Sequence, residues 1–392
     1  MTDKKDFFSL PKDICYLNCA AMSPTPKVTE LAGIEGLLRK SQPQEITSAD
    51  FFENAEIVRD LFAKLINCPS SANIAIMPSV SYGIAVVVKN ILKKQIPSNK
   101  SKIVLIGDEF PSDVYGWHEL ISERPNLKIE TISAPETLEN RGEKWNEKLL
   151  NALKKDALLV CLSPTHWADG TYFNLDEISK KCKENDVLLI IDGTQHIGAM
   201  EFHIEKIKPD FVICAAYKWL LGPYGSALAY LGDYFNDGFP LEQTWIGRKN
   251  SNDFKNLINY QSEYQRAAFR FNMGEFGNFI TLPMLQKSLE LLIEWQPSNI
   301  QHYTKNLSND YIEKLKGLGF WVEEEAYRAS HLFGIRIPNN ISMDSIQKAM
   351  LENKIYVSYR GNAIRISINV WNTEKDLEKF CAVLENLQQL KI

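Results

Sequence analysis

Apolar positions follow two patterns along the chain. Short, mostly apolar runs at 74–77, 102–106, 128–132, 157–162, 187–191 and 211–216 predict strands buried on both faces. Between them, apolar residues recur at helical spacing over 82–92, 145–153 and 175–184, and another helix starts near Lys27. Such alternation predicts an α/β fold with a mostly parallel sheet, whose ligands gather beyond the carboxyl ends of the strands. The spacing over 279–295 predicts a connecting helix. A smaller alternation follows: helix 306–315, strand 331–337, helix 342–352, strands 356–359 and 363–367, and a last helix after Thr373. With a short strand at Cys15, these elements divide the chain into a large domain, 20–275, and a small α+β domain made of 1–19 and 276–392 with its linker helix.

Composition narrows the class. At 392 residues the chain can bury a large core. Its 44 Lys and Arg against 49 Asp and Glu give a net charge of -5 without a long basic run, so nucleic acid and anionic membrane are not expected partners. No apolar run approaches the roughly 18 residues of a membrane span, and the first ten residues lack a signal-like apolar stretch. Seven scattered cysteines without CxxC pairs predict reduced thiols in a cytoplasm and no zinc site.

Candidate chemistry sits at the strand ends. The 187–191 run emerges onto Asp192, and a buried acid needs a cationic partner. The 211–216 run ends on Tyr217 and Lys218, before a loop with Gly222, Pro223 and Gly225. Desolvation favours a neutral amine there, suited to bonding a carbonyl as a Schiff base. Pyridoxal 5'-phosphate (PLP) uses both groups, with an aldehyde for Lys218 and a protonated pyridine nitrogen for Asp192. A strand-end acid also describes the magnesium-binding strand of an NTPase, and a lone lysine after a strand also describes a solvated end. Ser79, Val80 and Ser81 open the helix that follows 74–77, where hydroxyls and free N–H groups cap the helix or bind phosphate. Phe110, past the 102–106 strand, can stack on a flat ring or plug the core. In the 163–171 loop, His166 is a proton shuttle or a structural histidine, and Trp167 is a candidate pocket wall. Arg365, between apolar neighbours on a strand, can clamp a carboxylate or make an ordinary ion pair. Arg360 recognises a second anionic group or is solvated.

Asp-Gly-Thr-Gln at 192–195, followed by Tyr-Lys-Trp at 217–219 and a glycine-rich loop, resembles the class V aminotransferase family of fold-type I PLP enzymes. That family holds cysteine desulfurases, kynureninases, isopenicillin N epimerase-like proteins and several aminotransferases. The resemblance runs through nearly the whole chain in order and implies a three-layer large domain with a smaller C-terminal domain. It implies that Ser79, Val80 and Ser81 hold the PLP phosphate, that Phe110 covers the ring and that Gln195 meets the ring hydroxyl. Tyr217 would reach the phosphate, while Ala215 lacks the serine that desulfurases use. Thr244-Trp-Ile-Gly-Arg and Arg270-Phe-Asn-Met-Gly-Glu-Phe-Gly-Asn resemble segments that reach across a homodimer interface, so Trp245 and Asn278 become cross-subunit cofactor contacts. Glu275 stands where the family usually has threonine, and its charge would repel phosphate. Ala20 and Ala21 match a segment bordering the substrate pocket, which also reads as a simple turn. Ile-Arg-Ile-Ser, with Asn372-Thr373 capping the next helix, resembles the family's carboxylate-binding stretch and implies that Arg365 binds the substrate α-carboxylate.

The implied reaction acts on an α-amino acid, with Lys218 as general base and Asp192 keeping the ring protonated. Segment 358–364 has neither a cysteine nor room for a mobile loop before Arg365, which disfavours the persulfide route. The expectation is an aminotransferase, with a β-lyase or desulfurase-like enzyme, a kynureninase-like hydrolase or an epimerase as alternatives. Neither a Walker-type glycine loop nor a dinucleotide fingerprint occurs. A PLP-sensing regulator would need a basic DNA-binding module, which is not visible.

Overall fold

The computed structural model describes residues 1–389. Its apolar runs assemble into a seven-stranded sheet in the order Ile74–Met77, Ala227–Leu231, Phe211–Ala215, Leu188–Asp192, Ala157–Leu162, Lys102–Ile106 and Lys128–Ile132. All neighbours are parallel except Ala227–Leu231, which runs antiparallel to both strands beside it. The sheet is covered on both faces, which is why its inner strands read as continuous apolar runs; the edge strand Lys128–Ile132, expected to be buried, is mostly exposed or half-buried, with only Ile132 buried. Val80–Lys93 and Tyr115–Glu123 pack on one face. Glu53–Leu65, Arg141–Ala152, Leu175–Asn185 and Thr281–Trp295 pack on the other. The connecting helix Thr281–Trp295 thus belongs to the core of the large sheet.

A second core lies between a four-stranded antiparallel sheet and the helices Pro297–Gly317, Met343–Glu352 and Glu374–Gln389. The strand order is Ser358–Arg360, Ala363–Ser367, Leu332–Arg336, Trp321–Val322. The chain start joins this unit through Cys15–Tyr16, which pairs parallel with Ile355–Tyr356.

Several boundaries differ from the sequence expectation. The strand predicted at 356–359 is two pieces, one pairing with the chain start and the other with Ala363–Ser367. The helix predicted from 306 begins at Pro297, whose fixed φ suits a first helical position. Glu53–Leu65 and Ala227–Leu231 were not predicted. The helix is rich in charge, and the strand follows a glycine-containing loop that hides its start.

Candidate active site

Parallel strands Leu188–Asp192 and Phe211–Ala215 are neighbours in register, Asp192 opposite Ile213. Their carboxyl ends therefore deliver Asp192 and the Tyr217–Lys218 pair to one place. A cavity of about 230 Å³ opens there, lined by Ser79, Val80, Ser81, Phe110, Trp167, Asp192, Gln195, Tyr217 and Lys218. Residues that the sequence reading gathered from five separate stretches thus share one pocket.

Lys218 is buried, and its amine has no hydrogen-bond or ion-pair partner among the described residues. Burial lowers its pKa, and Asp192 offsets this only in part. The ammonium nitrogen lies 5.4 Å from the centre of the Phe110 ring and 5.5 Å from that of Tyr217. Asp192 accepts the Thr194 N–H at 2.9 Å. Asp113, unremarked in the sequence beyond its place in Glu-Phe-Pro-Ser-Asp, is buried beside Asp192 with no cation or N–H donor reaching its carboxyl. Burial first, then the charges of Asp192 and Glu109, push Asp113 well above the usual carboxylate range, which favours its protonated form, a form able to donate to Asp192.

At the opposite end of the pocket, Ser79 caps the helix Val80–Lys93 by accepting the Tyr82 N–H at 3.2 Å, and its Oγ lies 3.0 Å from that of Ser81. The first-turn N–H groups of Val80 and Ser81 have no intrahelical acceptor, which leaves an anion-binding end. Ser112, Thr194, Tyr224 and Ser226 add hydroxyls to the lining. Sequence reading missed these four because each is an ordinary loop residue until the strands converge.

Gln195 is oriented from both sides: its Oε1 accepts the Trp219 indole N–H at 2.8 Å, and its Nε2 donates to the Ala20 carbonyl at 3.1 Å. An amide has two N–H donors, so one remains for a ligand. Ala20 is thereby placed behind Gln195, buried and outside the lining, and Ala21 lies beside it in the same turn. Trp167 is held by its indole N–H, which donates to the Asp108 carbonyl at 2.6 Å, and meets Phe110 edge to face at 5.5 Å. Its carbonyl accepts from Nη1 of Arg365 at 2.8 Å, so Arg365, fully buried, stands one residue behind the wall. Burial, then the neighbouring Arg360 charge, pulls Arg365 down to about 9, which leaves it charged at neutral pH.

His166 faces away from the cavity. Burial opposes its charged form, but Asp169 at 3.1 Å and then Glu109 outweigh it and raise its pKa. Asp169 in turn takes Nη2 of Arg141 at 2.8 Å, and Arg141 reaches Glu323 at 3.1 Å. This buried relay braces the Trp167 loop and replaces the shuttle role with a structural one.

Three candidates lie elsewhere in the single chain. Trp245 is exposed and packs against Phe51 and Phe254. Asn278 caps the helix Thr281–Trp295, its Oδ1 accepting the Ile280 and Thr281 N–H groups. Glu275 is exposed at a φ of 58° and does not line the cavity. Among the described residues no cluster of three or more His, Cys, Asp or Glu is placed to hold a metal, and no helix is long and apolar enough to cross a membrane.

The sequence model of the class V aminotransferases matches residues 15–380. The chain belongs to the class V aminotransferase family. Its similarity extends to a probable cysteine desulfurase of Pyrococcus abyssi, 24% identical over 98% of this chain and 97% of that one. It also extends to an uncharacterised aminotransferase of Schizosaccharomyces pombe, 22% identical over 85% of this chain and 82% of the relative. In fold, this class V protein superimposes on the cysteine desulfurase of Thermococcus onnurineus NA1 with a TM-score of 0.81 at 20% identity, covering 99% of both chains. A cystine C–S lyase, C-DES, solved as a mutant with glycine covalently linked to its PLP cofactor, gives a TM-score of 0.85 at 17% identity over 98% of this chain and 100% of that one. The pocket fits the same cofactor on its own chemistry. It offers an unpartnered buried amine for the aldehyde, a carboxyl backed by a second buried acid for the pyridine nitrogen, an aromatic wall, and a hydroxyl-lined helix start for the phosphate. This class V chain is a PLP-dependent enzyme.

Proposed function

We propose that the chain is an amino-acid aminotransferase in which Lys218 is both the attachment point of PLP and the base. When bound, PLP supplies the aldehyde and the electron-accepting ring. The observation that carries the reading is the Lys218 amine, buried, without a partner and lowered in pKa, between Asp192 and the Arg365 clamp. A neutral amine can hold a carbonyl and, once released, take the α-proton at Nζ. Arg365 receives the substrate α-carboxylate with the N–H donors left over from Trp167 and Ser358. Phe110 and Trp167 exclude water from one side. Asp192 holds the proton on the ring nitrogen, with Asp113 behind it.

The turn before Arg365 disfavours the persulfide route and leaves both transamination and direct β-elimination open. Strands Ser358–Arg360 and Ala363–Ser367 are joined by only Gly361 and Asn362, with Gly361 at a φ of 56°. No cysteine lies on this turn. Cys19, which packs under the Lys218 carbonyl, is buried and pushed up to about 12. The seven cysteines are free, which supports a reducing, cytoplasmic setting. Borohydride should fix PLP covalently to the native protein and fail to do so in Lys218→Ala. A fixed adduct persisting in the variant would end the assignment. With an amino donor, the visible band should bleach with release of a keto acid; pyruvate or a β-leaving group without bleaching would transfer the reaction to the lyase class.

A further inference from the structure

Arg360 and Arg365 share one face of the hairpin. Ser358 pairs with Arg365 across it, and Arg360, two residues along, projects to the same side. Both guanidiniums rest on one indole, Arg360 at 5.0 Å and Arg365 at 6.0 Å from the Trp167 ring centre. Their hydrogen bonds go only to neutral groups: Arg365 to the Trp167 carbonyl and the Ser358 hydroxyl, Arg360 to the Tyr359 carbonyl at 2.7 Å. The Nε–H of each is buried and has no acceptor. No ion pair involves either residue among the described residues, and the groups whose field reaches Arg365 are its like-charged neighbour Arg360 and, in the opposite sense, Cys19 and Tyr16, with no carboxylate among them. By contrast, Arg59 and Arg141, buried like Arg365, both have carboxylate partners. Two adjacent, partly desolvated cations without a counter-charge are destabilising unless an anion joins them. A single α-carboxylate neutralises one.

We propose that Arg360 is the subsite for a second acidic group, so that the preferred substrate is an amino acid carrying a carboxylate or related anion on its side chain. This rests on the reading of Arg365 as the α-carboxylate clamp. Trp167 is the shared floor: it stacks under both guanidiniums and sets the spacing between the two anions.

Calorimetric binding of simple acids to the PLP-loaded protein tests this without turnover. Succinate and glutarate should bind at least tenfold tighter than butyrate and propionate, with a gain that shrinks as salt is raised. Arg360→Met, which keeps the apolar stem on Trp167, should bring the dicarboxylates down to monocarboxylate affinity, and Arg360→Lys should keep part of the gain. Equal binding of both acid classes to the native protein would overturn the second subsite while leaving the clamp in place. Failure of every acid to bind, with the PLP absorption band intact, would overturn the clamp and the subsite together. A gain that persists in Arg360→Met would assign the second anion to another residue and overturn the proposal. Should that variant not fold, the ratio between the two acid classes in the native protein, with its salt dependence, decides alone.

Discussion

Asp113 and Asp192 illustrate how two identical side chains are given different tasks by their surroundings. Asp192 has a backbone donor in Thr194 and faces the cavity; Asp113 has no hydrogen-bond donor at its carboxyl, and burial and the charges of Asp192 and Glu109 outweigh that of Lys218 in raising its pKa. Since burial favours the protonated form of Asp113, Asp113→Asn should leave the ratio of PLP to protein within about twofold of native. Asp192→Asn removes the charge that faces the ring nitrogen, and should lower activity by several orders of magnitude or empty the site. The absorption ratio of cofactor to protein checks both. Asp192, Lys218 and Phe110 were legible in the sequence as candidates because each ends a buried strand or follows one within four residues. Asp113 was not, because nothing local shows that a carboxyl four residues past Glu109 turns back under the sheet.

At the scale of elements, the 163–171 loop ties the two units together. Gly170, at a φ of 74°, passes so near the other unit that an added Cβ would lie 2.0 Å from the Leu332 carbonyl oxygen. The Gly334 N–H donates to the Asp169 carbonyl at 2.8 Å, and the Ala329 N–H to that of Gly170 at 3.0 Å. Gly170→Ala meets both a positive φ and a backbone collision, so it should cost more than about 2 kcal/mol in denaturant unfolding. It should also raise the substrate KM, because Trp167 moves with the loop. The strands of the large sheet were readable from their uninterrupted apolar runs. The hairpin at 358–367 was only half readable, since Val357 separates two short pairings that look continuous in sequence.

For the whole molecule, apolar side chains left in water bear on the expected homodimer. Leu31, Ile34, Leu37 and Leu38 stand exposed on the helix Lys27–Lys40, as do Trp245, Ile258 and Tyr260 in the segment that precedes Arg270. Sedimentation should find a homodimer in the PLP-loaded state, and an active monomer would refute it. Trp245 and Asn278 fall outside the pocket of one chain, so their predicted role depends on that partner and no single-chain pattern can place them. Acid should also loosen the molecule. Burial pulls His196 down to about 4 and His331 down to about 3 from an ordinary value of 6.5. Above pH 6.5 both are neutral, folded or unfolded; below it the unfolded chain takes up protons that the folded one refuses, so stability falls as pH drops towards 4. His196 alone accounts for about 3 kcal/mol over that window. Asp210, raised to about 6 by burial, acts in the opposite sense, so the comparison that isolates the histidine is the pH dependence of Tm in native protein against His196→Gln, whose slope should be shallower. The hydrogen bond from Arg365 to the Trp167 carbonyl spans the two units, so on the proposed role of Arg365 grip and release would be a single mechanical event. A tilt of the small unit that stretched this bond would withdraw the clamp and its wall from each other at once, so turnover limited by product departure would slow in viscous solvent while the chemistry itself kept its pace.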